Sequence, residues 1–185
     1  MGGVVPVVMA TDVISLITHD HREVEALFER LKSGRGDLAA TVAELHALLT
    51  AHSRAEEDRV YPHLDAHHGV EEHKEAEVLL DALVRAEPGT AEFRQTLQQL
   101  ADAVTHHVQE EESDLLPQLA ESADAKRLQE LGKEFQQRRD EELRALTVPG
   151  ETKAELYEQA QRADIPGRSQ MDKQELRDAL RQSGT

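Results

Sequence analysis

The sequence predicts an all-α protein: an up-down-up-down four-helix bundle, an additional fifth helix, and a small two-helix segment at the carboxy terminus. Three observations carry that prediction. Apolar residues recur at spacings of three and four, glycine or proline punctuates the chain between such stretches, and no stretch alternates with the two-residue period of a strand. The punctuation falls at Ser33-Gly34-Arg35-Gly36, His67-His68-Gly69, Glu87-Pro88-Gly89 and Val148-Pro149-Gly150.

Helix one is expected over 12–32, after a start signal at Thr11 and Asp12, with Ile14, Ile17, His21, Val24, Phe28 and Leu31 on one stripe. Helix two is expected over 37–66 and helix four over 90–119. They share a motif at a constant offset of 55 residues: Leu38, Val42, Leu45, Leu49, His52, Glu56, Glu57, Val60, Pro62 and Leu64 map onto Phe93, Leu97, Leu100, Val104, His107, Glu111, Glu112, Leu115, Pro117 and Leu119. Helix three, over 70–86, places His73, Ala76, Leu80 and Leu83 together, and a second offset of 52 residues relates it to helix one. That offset maps Asp20, His21, Glu23, Glu25, Leu27, Phe28 and Leu31 onto Glu72, His73, Glu75, Glu77, Leu79, Leu80 and Leu83. Short connections make sequential helices antiparallel neighbours, so two related hairpins close into one bundle. A fifth helix is expected over 122–146.

The stripes put polar groups where leucines belong. Each of the four helices carries one histidine inward (His21, His52, His73, His107), and helices two and four add Glu56 and Glu111. An ionised carboxylate in an apolar interior costs several kcal/mol even after relaxation, so these groups need partners. One solution pairs each histidine with a neighbouring carboxylate. A metal answers all six at once, and residues i and i+4 on one helix face reach a common cation. Two such pairs favour two metals, with Glu56 and Glu111 placed to bridge. With no cysteine in the chain, ligation is by nitrogen and oxygen, which suits iron and also manganese or zinc.

Asp20-His21, His52-x-x-x-Glu56-Glu57 with Pro62, Glu72-His73, and His107-x-x-x-Glu111-Glu112 with Pro117 resemble the hemerythrin-like family, the HHE cation-binding domains, over about residues 12–120. The resemblance implies a non-haem centre of two iron ions, bridged by an oxo or hydroxo group and two carboxylates. Oxygen-carrying members have a second histidine one turn after the helix-three ligand, where this chain has Glu77. Glu77 is thus a candidate seventh ligand, an outer partner, or a solvent-facing residue like its counterpart Glu25. His19, His46, His63, His67, His68 and His106 fall off the stripes and are expected on the surface; Tyr61 is a core phenol or a hydrogen-bonding one beside the metals.

The expected ligand is small: oxygen, nitric oxide or peroxide. An enzyme of catalase or peroxidase type and a metal-stapled interaction module are the alternatives. Residues 152–185 read as two short helices around Leu156, Tyr157, Ala160, Ile165, Met171, Leu176 and Leu180, started by Thr152 and Asp172. Glu-Leu-Tyr, an alanine three on, and Ile-x-Gly-Arg-Ser-x-Met-x-Lys-x-Glu-Leu resemble the small amino-terminal extension of transcription terminator Rho, related to SAP-type helices. That resemblance implies docking to nucleic acid or protein, with Lys153, Arg168 and Lys173 as the basic residues.

The net charge is -16, and residues 152–185 hold six Lys or Arg against six Asp or Glu, so the whole excess lies upstream. Such a domain is a poor partner for nucleic acid or an anionic membrane. The stretch Val4–Met9 is too short for a signal core or a membrane span and contains Pro6. The organisation expected is a disordered leader over 1–11, the bundle over 12–146, a linker over 147–151 and the helical segment over 152–185, in a cytoplasmic protein.

Overall fold

The computed structural model describes residues 11–147, 153–163, 165–168, 171, 176 and 179–180. Among them there is no strand, and the four-helix bundle is present with a further long helix after it. The expected leader and linker lie mostly outside the described residues, as do the start signals Thr152 and Asp172. The chain divides into two units, 1–144 and 145–185.

Helix α1 (Val13–Lys32) starts where Asp12 accepts a hydrogen bond from the Ser15 N–H at 2.9 Å, and α2 (Leu38–Arg59) where Asp37 accepts from Ala40 at 3.0 Å. Gly34 and Gly36 make the turn between them with positive φ. Helix α2 ends at Arg59, earlier than the expected residue 66. Pro62 has no N–H to give, so the chain tightens into a 3₁₀ turn over Tyr61–His63. Helix α3 (His67–Arg85) begins three residues early, with Gly69 inside it. That glycine serves close packing rather than a turn: a Cβ there would lie 3.1 Å from the Tyr61 hydroxyl.

Helix α4 (Ala91–Glu110) is capped by Thr90, whose hydroxyl accepts from Phe93. It runs into a π-helical turn over Glu111–Leu115 and then α5 (Leu116–Ser122). The π turn absorbs Pro117, because its wider loop lets the Leu116 N–H reach the Glu111 carbonyl and the helix resume. The same motif therefore ends one helix at Pro62 and only dislocates the other at Pro117. Helix α6 (Ala125–Thr147) follows, with Asp124 accepting from Arg127 N at 2.8 Å.

Two apolar clusters fill the first unit. One gathers Val24, Phe28, Leu31, Leu45, Leu83, Phe93 and Leu100; the other gathers Val13, Ile17, Ala55, Tyr61, Leu119, Leu131 and Phe135. The inward polar residues form the layer between them: His21 lies between Ile17 and Val24, and His52 between Leu49 and Ala55. Helix α6 closes over α1 and α2, where Gly132 is required because a Cβ would stand 2.6 Å from the Thr11 carbonyl oxygen. In the second unit, α7 (Lys153–Arg162) contributes Leu156 and Ala160 to a small core with Ile165 and Leu176, against which Tyr157, Met171 and Leu180 pack. No helix among the described residues is long and apolar enough to cross a membrane.

Candidate metal centre

The six inward residues meet in the polar layer, and all are buried. They fall into two overlapping groups, His21, His52, Glu56 and Glu111 in one and Glu56, His73 and His107 in the other. Glu56 reaches both: its Oε1 lies 3.1 Å from His52 Nε2 and its Oε2 lies 3.3 Å from His73 Nε2. Glu111 Oε2 lies 3.1 Å from His21 Nε2 and 3.8 Å from His107 Nε2. His73 and His107 bring their Nε2 atoms within 3.1 Å of each other.

The two Nε2 atoms of His73 and His107 are within hydrogen-bond reach of each other, but for the other four residues proximity is not hydrogen bonding. Among the described residues seven buried side-chain nitrogen or oxygen atoms have no hydrogen-bond partner, and six of them are His21 Nε2, His52 Nε2 and the four carboxylate oxygens of Glu56 and Glu111. A few buried orphans per domain are ordinary, but six converging on one spot are not. Their chemistry, imidazole nitrogen and carboxylate oxygen, fits a pair of cations.

Each of the four inward histidines is held from behind. His21 Nδ1–H donates to Glu112 at 2.8 Å, His52 to Asp20 at 3.3 Å, His73 to Glu57 at 3.1 Å and His107 to Glu72 at 2.9 Å. Since a carboxylate only accepts, Nδ1 carries the proton and Nε2 is the atom turned to the centre. The four pairs run in a ring, one in each seam between adjacent helices: α1 holds the histidine of α2, α2 that of α3, α3 that of α4, and α4's end that of α1. In the sequence Asp20, Glu57, Glu72 and Glu112 stand beside the inward stripes with nothing in their spacing to mark this role.

The electrostatics ask for positive charge. Burial lowers the His52 pKa, yet Glu56 and Asp20 outweigh it and carry it up to about 10. Burial likewise opposes protonation of His73, but Glu56 and Glu57 raise it to about 9, and His21 also moves up against its burial through Glu111. Glu56 is pushed up by burial and held well below the usual carboxylate range by His52 and His73. Glu111 is pushed up by burial and by the charge on Glu56. A field that favours a proton at these nitrogens also favours a cation between them.

Tyr61 stacks on His73 with ring centres 5.3 Å apart, and its hydroxyl lies 3.3 Å from His73 Nε2. Burial, followed by the surrounding carboxylates, raises its pKa. Glu77 stands outside the centre: it is 60 % exposed and lies 3.6 Å from Arg54. A cavity of about 20 Å³ above the centre is lined by Val24, Leu49, Val104 and Val108 together with the histidines. His68, expected as a plain surface residue, is exposed but forms with Glu72 and Glu110 a third group of ligand-type side chains; His106, also exposed, faces the same two carboxylates from α4.

A bundle with one inward histidine per helix and two inward glutamates defines a class of metal-binding domain. The family described as the hemerythrin HHE cation binding domain matches residues 12–119, and the chain belongs to it. It is 29 % identical over 129 residues to a protein of Nostoc sp. (strain PCC 7120) named DNA nickase; the match takes 65 % of this chain and 37 % of that one, so the chain spans well under half its relative's length. A crystal structure of a hemerythrin HHE cation binding domain-containing protein from Mycobacterium kansasii shares the fold, with a TM-score of 0.64 at 20 % identity, covering 94 % of this chain and 99 % of that one.

Proposed function

We propose that the protein holds two iron ions in the buried layer and uses them to sense or handle a small ligand, oxygen, nitric oxide or peroxide. The observation that carries this is the gathering of six otherwise unpartnered donor atoms, from His21, His52, Glu56 and Glu111, in one buried layer. His21, His52, Glu56 and Glu111 would hold one ion, and His73, His107 and Glu56 the other. Iron bound there would supply open coordination and redox chemistry. The chain's own part is to keep each Nε2 aimed inward through the carboxylate ring and to exclude bulk. A cavity of about 20 Å³ admits a water-sized or diatomic guest and nothing much larger.

An enzymatic reading of the same centre is favoured by one observation: the buried Tyr61 hydroxyl, able to hydrogen-bond at the centre, sits 3.3 Å from His73 Nε2. Steady-state oxygen evolution from peroxide separates the two readings. The nickase name of the Nostoc protein is not carried over, since a chain of net charge -16 repels a polyanion. Residues 152–185 are proposed as a docking part with no share in the metal chemistry.

The test is metal analysis with optical spectra under air, under reductant and under nitric oxide. Two irons per chain and ligand-dependent visible bands are expected, unchanged when residues 148–185 are removed. A protein that reconstitutes with no iron and shows no such bands overturns the reading.

A further inference from the structure

The four seams of the ring are closed differently on the outside. Asp20 is met by Arg139 Nε at 2.6 Å, Glu112 by Arg22 at 2.6 Å and Glu57 by Arg54 at 3.6 Å. In those three seams a guanidinium balances the carboxylate that holds the histidine. In the fourth, between α3 and α4, no Arg or Lys among the described residues pairs with Glu72. It is met instead by His68 and His106, and a second carboxylate, Glu110, faces the same two rings. Two carboxylates and two imidazoles therefore share a seam with no fixed counter-charge.

The spacing is that of a chelate. His68 and Glu72 are i and i+4 on α3, His106 and Glu110 are i and i+4 on α4, and the latter pair is the inward His107-x-x-x-Glu111 moved one residue around the helix. His68 Nε2 lies 3.7 Å from Glu72 Oε1 and 3.6 Å from Glu110 Oε2; His106 Nε2 lies 3.8 Å from Glu72 Oε1 and 3.2 Å from Glu110 Oε1. None of these is a hydrogen bond. Ligand atoms about 2.0–2.2 Å from one tetrahedral cation stand roughly 3.3–3.6 Å apart, and the four separations here, 3.2 to 3.8 Å, bracket that range. Under the repeat offsets the four positions correspond to Leu16, Asp20, Ala51 and Ala55, three of them apolar and lying where α6 covers the bundle. The pseudo-symmetric mate of this face is thus closed, while here His68 and His106 are 68 % and 63 % exposed.

We propose that His68, Glu72, His106 and Glu110 form a second, solvent-facing site for a divalent transition-metal cation. Glu72 joins it to the centre: Oε1 faces the outer site while Oε2 holds His107 Nδ1 at 2.9 Å. With mixed nitrogen and oxygen donors the site takes zinc, iron(II) or cobalt(II) rather than calcium or magnesium. A cation arriving there waits one carboxylate away from the buried histidines.

The experiment is a cobalt(II) titration of the full chain, followed by visible absorption and by metal counting after gel filtration. The Glu56→Ala variant, which removes the donor common to both buried groups, should keep one cobalt per chain. His68→Ala with His106→Ala in otherwise unchanged protein should lose one equivalent while the absorption of the buried centre persists; His67→Ala, an exposed neighbour, should lose none. Equal stoichiometry in wild type and the double variant overturns the proposal, as does equal loss with His67→Ala. Failure of the buried centre would be distinct: wild type would then bind a single cobalt that the double variant loses. Both substitutions are at exposed positions, so folding is preserved.

Discussion

The half of the bundle made by α1 and α2 and the half made by α3 and α4 carry the same inward motif under different covers. In the first, His21 and His52 lie edge to face with ring centres 5.1 Å apart, Phe135 of α6 stands against His52 at 5.9 Å, and Arg139 closes on Asp20. In the second, His73 and His107 repeat the edge-to-face pair at 4.6 Å, but Tyr61 stacks on His73 and the outer seam is left to His68 and His106. Donors set what each half binds, whereas cover sets how that half meets water. The repeated motif supplies the first twice, and α6 covers one side only.

Breaking what the halves share has the largest effect. Glu56 is the one residue in both donor groups, with an oxygen toward each half. Glu56→Ala is expected to empty both buried positions, read as loss of the visible absorption after iron reconstitution. If one buried iron survives, the two halves are independent and Glu56 does not link them.

Breaking the cover on one side comes next. Phe135 is fully buried in the core cluster that α6 shares with α1 and α2, and deleting such a ring costs about 3–5 kcal/mol. For a chain of this size that is a fall in Tm on the order of 10 °C. Phe135→Ala should also make one iron exchange faster with a chelator, the one held by His21 and His52, leaving the other rate unchanged. Calorimetry with a chelator time course checks both; a uniform acceleration would mean that α6 does not cover one half selectively.

What could be read from the chain before its structure follows the same division. The inward stripe was legible because periodicity reports a helix face directly: His21, His52, Glu56, His73, His107 and Glu111 replace apolar residues in register. The carboxylate ring was not. Asp20, Glu57, Glu72 and Glu112 each sit beside an inward histidine or glutamate in sequence, about 100° around the helix, and each serves a histidine on the next helix rather than its own neighbour. Only the order of helices around the bundle decides that pairing. The two prolines misled for a related reason: Pro62 and Pro117 occupy equal motif positions, but one is followed by a turn into α3 and the other by more helix, so the backbone resolves them as a 3₁₀ turn and a π turn.

Glu77 gives the smallest effect and sharpens the boundary of the second half. It sits four residues after His73, where a further histidine would complete an oxygen carrier's set, yet its carboxylate lies at the outer edge of the α2/α3 seam with Arg54 as its partner. Arg54 also faces Glu57 at 3.6 Å, so removing Glu77 leaves the guanidinium paired and the His73–Glu57 hydrogen bond in place. An exposed ion pair of this kind is worth about 0–1 kcal/mol. Glu77→Ala is therefore expected to leave iron content and spectrum unchanged and to move Tm by no more than roughly 2–4 °C. Glu57→Ala, one seam position deeper, should by contrast free the His73 ring and weaken the second iron. Should the two substitutions perturb the spectrum equally, the seam's outer carboxylate reaches the metal after all and the second half is larger than its buried donors.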